Sequence, residues 1–301
     1  ELSAVLHEVN GKAEKKRFYG LLNKYKMLIS DNDFALNTST DIREIYNDLV
    51  FKEIAEDCAD NIPDGEIFRK DMAEVTTPTQ KVIHKGAYPE TKIIQLMEQA
   101  LNILNQKEIP TLIRISIFHY LFGYIHPFYD GNGRTGRIVC ILFLVVNGLL
   151  DLPILYLSRY ITQNKTEYYR LLQAVRDSNG AVVDWQAWVL FMLKGIEVTA
   201  AHTITIVNGI NRLMAEYKAV LRPEFGKSYR HELLNHLFYH PYTKIDHITE
   251  ALGVTRITAS GYLDKIVKLG LLGKVKVGRV NYYINEKLVD LLVNHEKLAD
   301  M

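Results

Sequence analysis

"HPFYDGNGRTGR", residues 126–137, supports two incompatible readings. From Gly131, the glycines at 131, 133 and 136 spell GxGxxG, the mark of a dinucleotide-binding loop, with Asp151 near the place of a ribose-binding acid. From His126, the same letters set a histidine, an aspartate, an asparagine and two arginines around a glycine turn, which is equipment for phosphate chemistry. The first reading needs a strand running straight into Gly131 inside a strand–helix–strand unit. Here Pro127, Tyr129 and Asp130 intervene, the preceding segment is more helical than extended, and "LPILYLSRYI" is broken by Pro153. A lone GxGxxG is a weak signal, so the dinucleotide reading is set aside. An EF-hand loop fails as well, because Arg134 stands where an oxygen ligand is required. A plain helix-to-helix turn explains "DGNG" but not its surroundings.

The phosphate reading uses every polar residue of the stretch. A turn that opens onto the N-terminus of the helix "RIVCILF" presents free amides and the positive end of the helix dipole, and glycines let an anion approach closely. Arg134 and Arg137, three apart, face the same anion and suit its oxygens in fork geometry. Asp130 offers a hard oxygen ligand for Mg²⁺, which a polyphosphate brings with it. His126 has a side chain suited to taking a proton from an attacking hydroxyl near neutral pH.

The whole chain sets the bounds. At 301 residues it has room for one sizeable core and a smaller module, and 48% hydrophobic with 24% charged residues is ordinary globular composition. A net charge of +1 excludes a surface that is basic throughout, so any nucleic-acid role must rest on a local patch. Cys58 and Cys140 lie far apart in apolar sequence, which supports neither a disulfide framework nor a thiolate metal site. A reducing, cytoplasmic setting without membrane contact is expected. The longest apolar run, "IVCILFLVVNGLL", is too short to span a bilayer and reads as a buried core helix.

The first two thirds carry helical periodicity. "KAEKKRFYGLLNKYKMLI", "DIREIYNDLVFKEIAEDC", "KIIQLMEQALNILNQ" and "TLIRISIFHYLFGYI" place apolar residues three and four apart, and Asp41 with Glu44 looks like a helix start. A helix is expected from about Arg137 to Asn147, with Gly148 as its cap. Between Thr76 and Lys92 two prolines, a glycine and a β-branched stretch predict a strand or hairpin, in which His84 reads as a surface histidine. At "LRPEFGKSYR" a proline and a glycine mark a domain boundary, giving domains 1–222 and 223–301. The second reads as helix, helix, tight turn, helix and a two-stranded hairpin about Gly278, the order of a winged helix-turn-helix. The fold class is therefore mainly α, a helical core with a short β-hairpin plus a C-terminal winged helix-turn-helix.

The stretch resembles the signature of the Fic family, HxFx(D/E)GN(G/K)RxxR, with every defined position present. The segment from Leu152 to Leu193 also resembles the helical segment downstream of the motif in bacterial Fic proteins with a C-terminal winged helix. The resemblance implies a protein adenylyltransferase. His126 would be the general base that deprotonates a Ser, Thr or Tyr hydroxyl on a target protein, and the hydroxyl would attack the α-phosphate of ATP. Phe128 would be buried and hold the loop, and Asp130 would bind Mg²⁺. Gly131, Asn132 and Gly133 would form the anion hole, with Arg134 and Arg137 on the β- and γ-phosphates. Glycine at 133 favours nucleotide transfer, since members with lysine there include toxins that transfer phosphate. The hairpin "KVIHKGAYPETK" falls where the family has a flap that aligns the target by strand pairing, though a plain connection reads the same.

Regulation departs from the family pattern. The inhibitory signature (S/T)xxxE(G/N) is met in part by "STDIREIYND", with Glu44 in place but Ile45 after it. Glu44 is expected either to pair with Arg137 or to cap its own helix. In the C-terminal module, Arg256, Lys265, Lys268, Lys274, Lys276 and Arg279 stand against one acid, Asp264. Arg256, Thr258, Ser260, Tyr262, Lys276 and Arg279, with Thr255, are the candidates for contact with double-stranded DNA. The same run serves equally as a solvated face or a dimerisation surface, and a homodimer is compatible with the sequence. The alternative to an enzyme is a DNA-binding regulator whose Fic domain senses nucleotide or transfers a different phosphate-linked group.

Overall fold

A computed structural model describes residues 36–76, 80, 82–178 and 182–294. The helix expected in "KAEKKRFYGLLNKYKMLI" lies outside them. The first described helix, α1 (Ser39–Leu49), starts at a capping box in which Thr38 and Asp41 satisfy each other's backbone amides. Asp41 therefore fills the third helical position, and Glu44 takes no part in the cap. The backbone leaves the helical region at Val50, φ −126° and ψ −40°, so a short α2 (Phe51–Asp57) stands where one continuous helix was expected. Strands β1 (Glu74–Thr76) and β2 (Val82–Lys85) form the antiparallel hairpin, pairing Glu74 with Lys85 and Val75 with His84.

Three helices build the centre of the N-terminal unit. α3 (Glu90–Leu104) and α5 (Asn132–Val146) both pack on α4 (Thr111–Ile125), and α1 packs on α3 and α5. α4 is buried around most of its circumference, with Ile115, Phe118, Phe122 and Ile125 in the core and even Arg114, Ser116 and His119 covered. Such an all-round helix carries no clean amphipathic stripe, which is why "IRISI" could be mistaken for a strand. Gly136 faces Phe122 of α4, where an added Cβ would come within 3.1 Å of the ring, so the third glycine of the motif serves helix packing. α6 (Leu157–Gln163), α7 (Lys165–Asp177) and α8 (Val182–Phe225) come next, and Trp188 of α8 is fully buried, its indole donating to the Ser116 carbonyl at 2.8 Å.

The boundary between the two compact units falls at Thr199/Ala200, inside α8, rather than after Arg222. The cause is side-chain allegiance. Leu213, Tyr217, Leu221 and Phe225 pack with Leu233, Leu237, Leu263 and Ile266 of the C-terminal unit, and Pro223 is accommodated within the helix's last turn. By length and composition alone α8 is long and apolar enough to cross a membrane. The C-terminal unit continues with α9 (His231–Tyr239), β3 (Tyr242–Thr243), α10 (Ile245–Leu252), α11 (Arg256–Lys268), β4 (Gly273–Val277), β5 (Val280–Ile284) and α12 (Glu286–Asn294). Its three strands run in the order β3-β5-β4, and Gly278 turns the β4–β5 hairpin with φ of 60°.

Candidate active site

The motif begins where α4 ends. His126 caps that helix in the left-handed region, φ 53° and ψ 62°, with its amide still bonded to the Phe122 carbonyl at 3.0 Å. Phe128 then turns inward. Its ring is 0% exposed, stacks on Tyr46 of α1 at 3.8 Å between centroids, and meets Phe68 edge-on at 5.5 Å. Asn132 closes the loop from the other side: its amide oxygen accepts from Phe128 N at 2.9 Å and its nitrogen donates to Phe128 O at 2.7 Å. The Asn132 side chain is thus occupied in holding the loop, and only its backbone amide faces the helix end.

Helix α5 starts at Asn132, five residues ahead of the expected Arg137. Gly131 makes this possible by taking φ of 82° as the N-cap, in a space where a Cβ would sit 2.7 Å from Val50 Cγ1. No side chain caps the helix and no acid lies in its first turn. The amides of Asn132, Gly133 and Arg134 precede the first intrahelical bond, Thr135 N to Gly131 O at 2.9 Å, and form an open anion seat. Arg134 and Arg137 stand on the first two turns beside it.

Charge around the seat is balanced. Arg134 is held by Glu53 of α2 at 2.5 Å and by Asp130 at 3.4 Å. The other Asp130 oxygen accepts from Gly131 N at 2.5 Å. Among the described residues Arg137 pairs with no carboxylate. The expected Glu44–Arg137 pair is not formed, because Ile42, Ile45 and Tyr46 turn inward from α1 and put Glu44 on its exposed face. Glu53 carries no sequence signal, since nothing in "FKEIAED" sets it apart from Glu56.

His126 carries an uncharged imidazole near neutral pH. Burial first, then the nearby His84 and Arg69, push its imidazole down to about 4. A neutral imidazole keeps a lone pair on one ring nitrogen, open to the proton of an attacking group. The imidazole should therefore be neutral at pH 6 to 8 and gain its proton only as pH falls through about 4. Histidine-ring NMR of the wild type beside His126→Ala checks this; titration near 6.5, the ordinary value, would contradict it.

His84 is not a surface residue as expected. It is 8% exposed, its Nε2 lies 2.7 Å from the Tyr124 carbonyl, and its ring centre is 6.4 Å from that of His126. Because β2 packs over the end of α4, its inward face is covered. Arg176 of α7 reaches the Ile83 carbonyl at 3.0 Å and secures the same strand. Below Arg137, the covered residues His119, Cys140 and Tyr168 form a chain, with His119 Nε2 3.0 Å from the Tyr168 hydroxyl. Burial drives His119 down to about 3 and Cys140 up to about 12, so neither is charged near neutrality.

For Mg²⁺ the test is the donor set. No cluster of three or more metal-binding side chains occurs among the described residues, and Asp130 is a single, half-exposed carboxylate beside the anion seat. That fits an ion which keeps its waters and arrives with a polyphosphate, not a resident cage.

In the C-terminal unit, the cationic surplus of the sequence is smaller in space. Arg256 pairs with Asp246, Lys265 with Glu224 at 3.4 Å and Lys274 with Asp264 at 2.7 Å. Asp246 and Glu224 lie outside the stretch from Arg256 to Arg279 that carries the surplus. Thr255 serves as the N-cap of α11, bonded to Thr258, while Ser260 leans on Asp264 and Tyr262 packs edge-on against Phe225. Lys268, Lys276 and Arg279 are exposed, and so is Ile257.

Comparison with known proteins finds two family matches along the chain. The Fic/DOC family model matches residues 37–144, and that of the protein adenylyltransferase SoFic-like C-terminal domain matches 213–288. A probable protein adenylyltransferase of Aquifex aeolicus (strain VF5) is 36% identical over 101 residues, 33% of this chain and 32% of that protein. The chain thus spans about a third of the length of this curated relative. The crystal structure of a Fic family protein from Desulfovibrio desulfuricans G20 aligns over 93% of this chain and 90% of that one, at TM-score 0.42 and 20% identity.

Proposed function

The chain carries a Fic/DOC family domain followed by a SoFic-like C-terminal domain, and from that premise we propose that it transfers AMP from ATP to a hydroxyl of a target protein. The observation that carries this reading is the juxtaposition of a neutral imidazole, His126, with the uncapped N-terminus of α5. The free ring nitrogen takes the proton of a Ser, Thr or Tyr hydroxyl as its oxygen bonds to the α-phosphorus. The bond from that phosphorus to the bridging oxygen breaks, and pyrophosphate leaves. The amides of Asn132, Gly133 and Arg134 stabilise the charge on the phosphate oxygens, and Arg134 and Arg137 hold the leaving group. Mg²⁺, when bound by Asp130, supplies charge neutralisation across the phosphates.

Intact-mass analysis of the protein and of lysate proteins after incubation with Mg-ATP tests this. Addition of an AMP residue is expected; addition of phosphate alone would make the protein a kinase.

The Glu53–Arg134 pair must open for Arg134 to serve a phosphate. Because both side chains are partly exposed, their attraction is modest. Glu53→Gln is expected to tighten nucleotide binding about two- to fivefold, read by calorimetric titration with ATP. Unchanged affinity would show that Glu53 does not compete.

A further inference from the structure

Resting on the transfer reaction just proposed, the geometry points to Arg69 as the positioning residue that holds His126 in register as the base and ties the motif loop to the hairpin. Arg69 is 0% exposed, and among the described residues no carboxylate pairs with it. Its Nε donates to the His126 carbonyl at 2.9 Å, Nη2 to the Ala87 carbonyl at 2.8 Å, and Nη1 to the Asp71 carbonyl. Its own amide donates to Pro127 O at 3.2 Å, and Ala87 N donates to Ile125 O at 3.0 Å. One guanidinium thus fastens the loop before the hairpin, the exit of β2 and the motif histidine itself.

Two neighbours are shaped around it. An added Cβ at Gly86 would lie 2.3 Å from Arg69 Nη2 and 3.0 Å from His126 Cβ, so only glycine lets the three groups meet. The Glu90 carboxylate gathers the amides of Glu66, Ile67 and Phe68 at 3.2, 2.8 and 2.8 Å, which fixes the loop from which Arg69 springs. A buried cation without an acid is a costly way to brace a turn, and an apolar residue of similar volume would serve a merely structural role. The fork also spans three acceptors in different directions, which an ammonium on a single nitrogen does not. The charged and titratable groups bearing on the His126 imidazole are His84 from β2, Arg176 from α7 and Arg69 itself.

Full-length Arg69→Met, Arg69→Lys and Gly86→Ala decide the matter, each read by histidine-ring NMR titration and by the rate of label transfer from ATP marked at the α-phosphate. In Arg69→Met the His126 titration is expected to rise by about one pH unit or more, since a nearby positive charge is lost. Transfer should fall about 100-fold, the cost of a slightly misplaced base, with KM for ATP little changed because Arg134 and Arg137 are untouched. Arg69→Lys keeps charge without the fork and should recover less than about a tenth of the rate. Gly86→Ala displaces the guanidinium and should reproduce the loss of rate. Wild-type titration and rate in Arg69→Met, or full rescue by lysine, overturns the inference. Should Arg69→Met not fold, wild-type behaviour of Gly86→Ala overturns it instead. If the wild type itself transfers no label, the proposed reaction fails, while the His126 titration still decides the role of Arg69.

Discussion

His126→Ala is expected to lower AMP transfer by about 10²- to 10⁴-fold, the usual worth of a positioned general base, while the protein stays folded. The fold should survive because the imidazole is only partly covered and the loop is held by other groups: Asn132 on the Phe128 backbone, Arg69 on the His126 carbonyl. These bonds use the backbone of residues 126 and 128, which the substitution leaves in place. Nucleotide binding should persist as well, since Arg134, Arg137 and the amides of α5 are unaltered. The measurement is single-turnover labelling alongside circular dichroism and ATP titration. A variant that binds ATP and transfers at the wild-type rate would remove His126 from the reaction.

Phe128→Ala is expected to cost about 3–5 kcal/mol of stability, the range for deleting a fully buried aromatic ring. The ring joins α1, through Tyr46, to the loop before the hairpin, through Phe68, and its removal leaves a void that the Tyr129 hydroxyl, bonded to Asp64 and Asp71 of the same loop, does not fill. The loss should fall on the N-terminal unit. Hydrogen exchange in α1 and α5 should accelerate together, while α9 to α11 keep their protection, because their core is a separate cluster. Equal loosening of both units, or of neither, would show that the Tyr46–Phe128 stack does not hold the site.

The candidate site residues are legible together in the sequence because they lie in one contiguous loop, where residue types and spacing are visible side by side. Arg134 and Arg137 need only the register of a helix to be placed, and His126 and Asp130 sit in the loop that leads into it. The parts that escape such reading come from distant segments. Arg69 looks no different from Lys70 beside it until Arg69 is seen buried on three carbonyls, and no spacing rule links Glu53 to Arg134. His84 reads wrongly as a surface residue because a strand in a two-stranded hairpin looks exposed on both faces until a helix end is found beneath it. The expected start of α5 is late because a run of glycines reads as turn throughout, whereas only Gly131 needs a left-handed backbone and Gly133 is already helical. Likewise Pro223 reads as a boundary, although tertiary packing of Tyr217 and Leu221 carries the helix through it. A count of cations along the C-terminal unit overstates the surplus, because charges cancel in space, not along the chain.

Paired reactions with ATP labelled at the α-phosphate or at the γ-phosphate, with target lysate and Mg²⁺, test the central claim most directly. Protein-bound label from the α-position alone, with pyrophosphate released and with transfer by His126→Ala at least about 100-fold slower, is the predicted result. Label from the γ-position, or α-label that accumulates at the wild-type rate without the His126 imidazole, would contradict it.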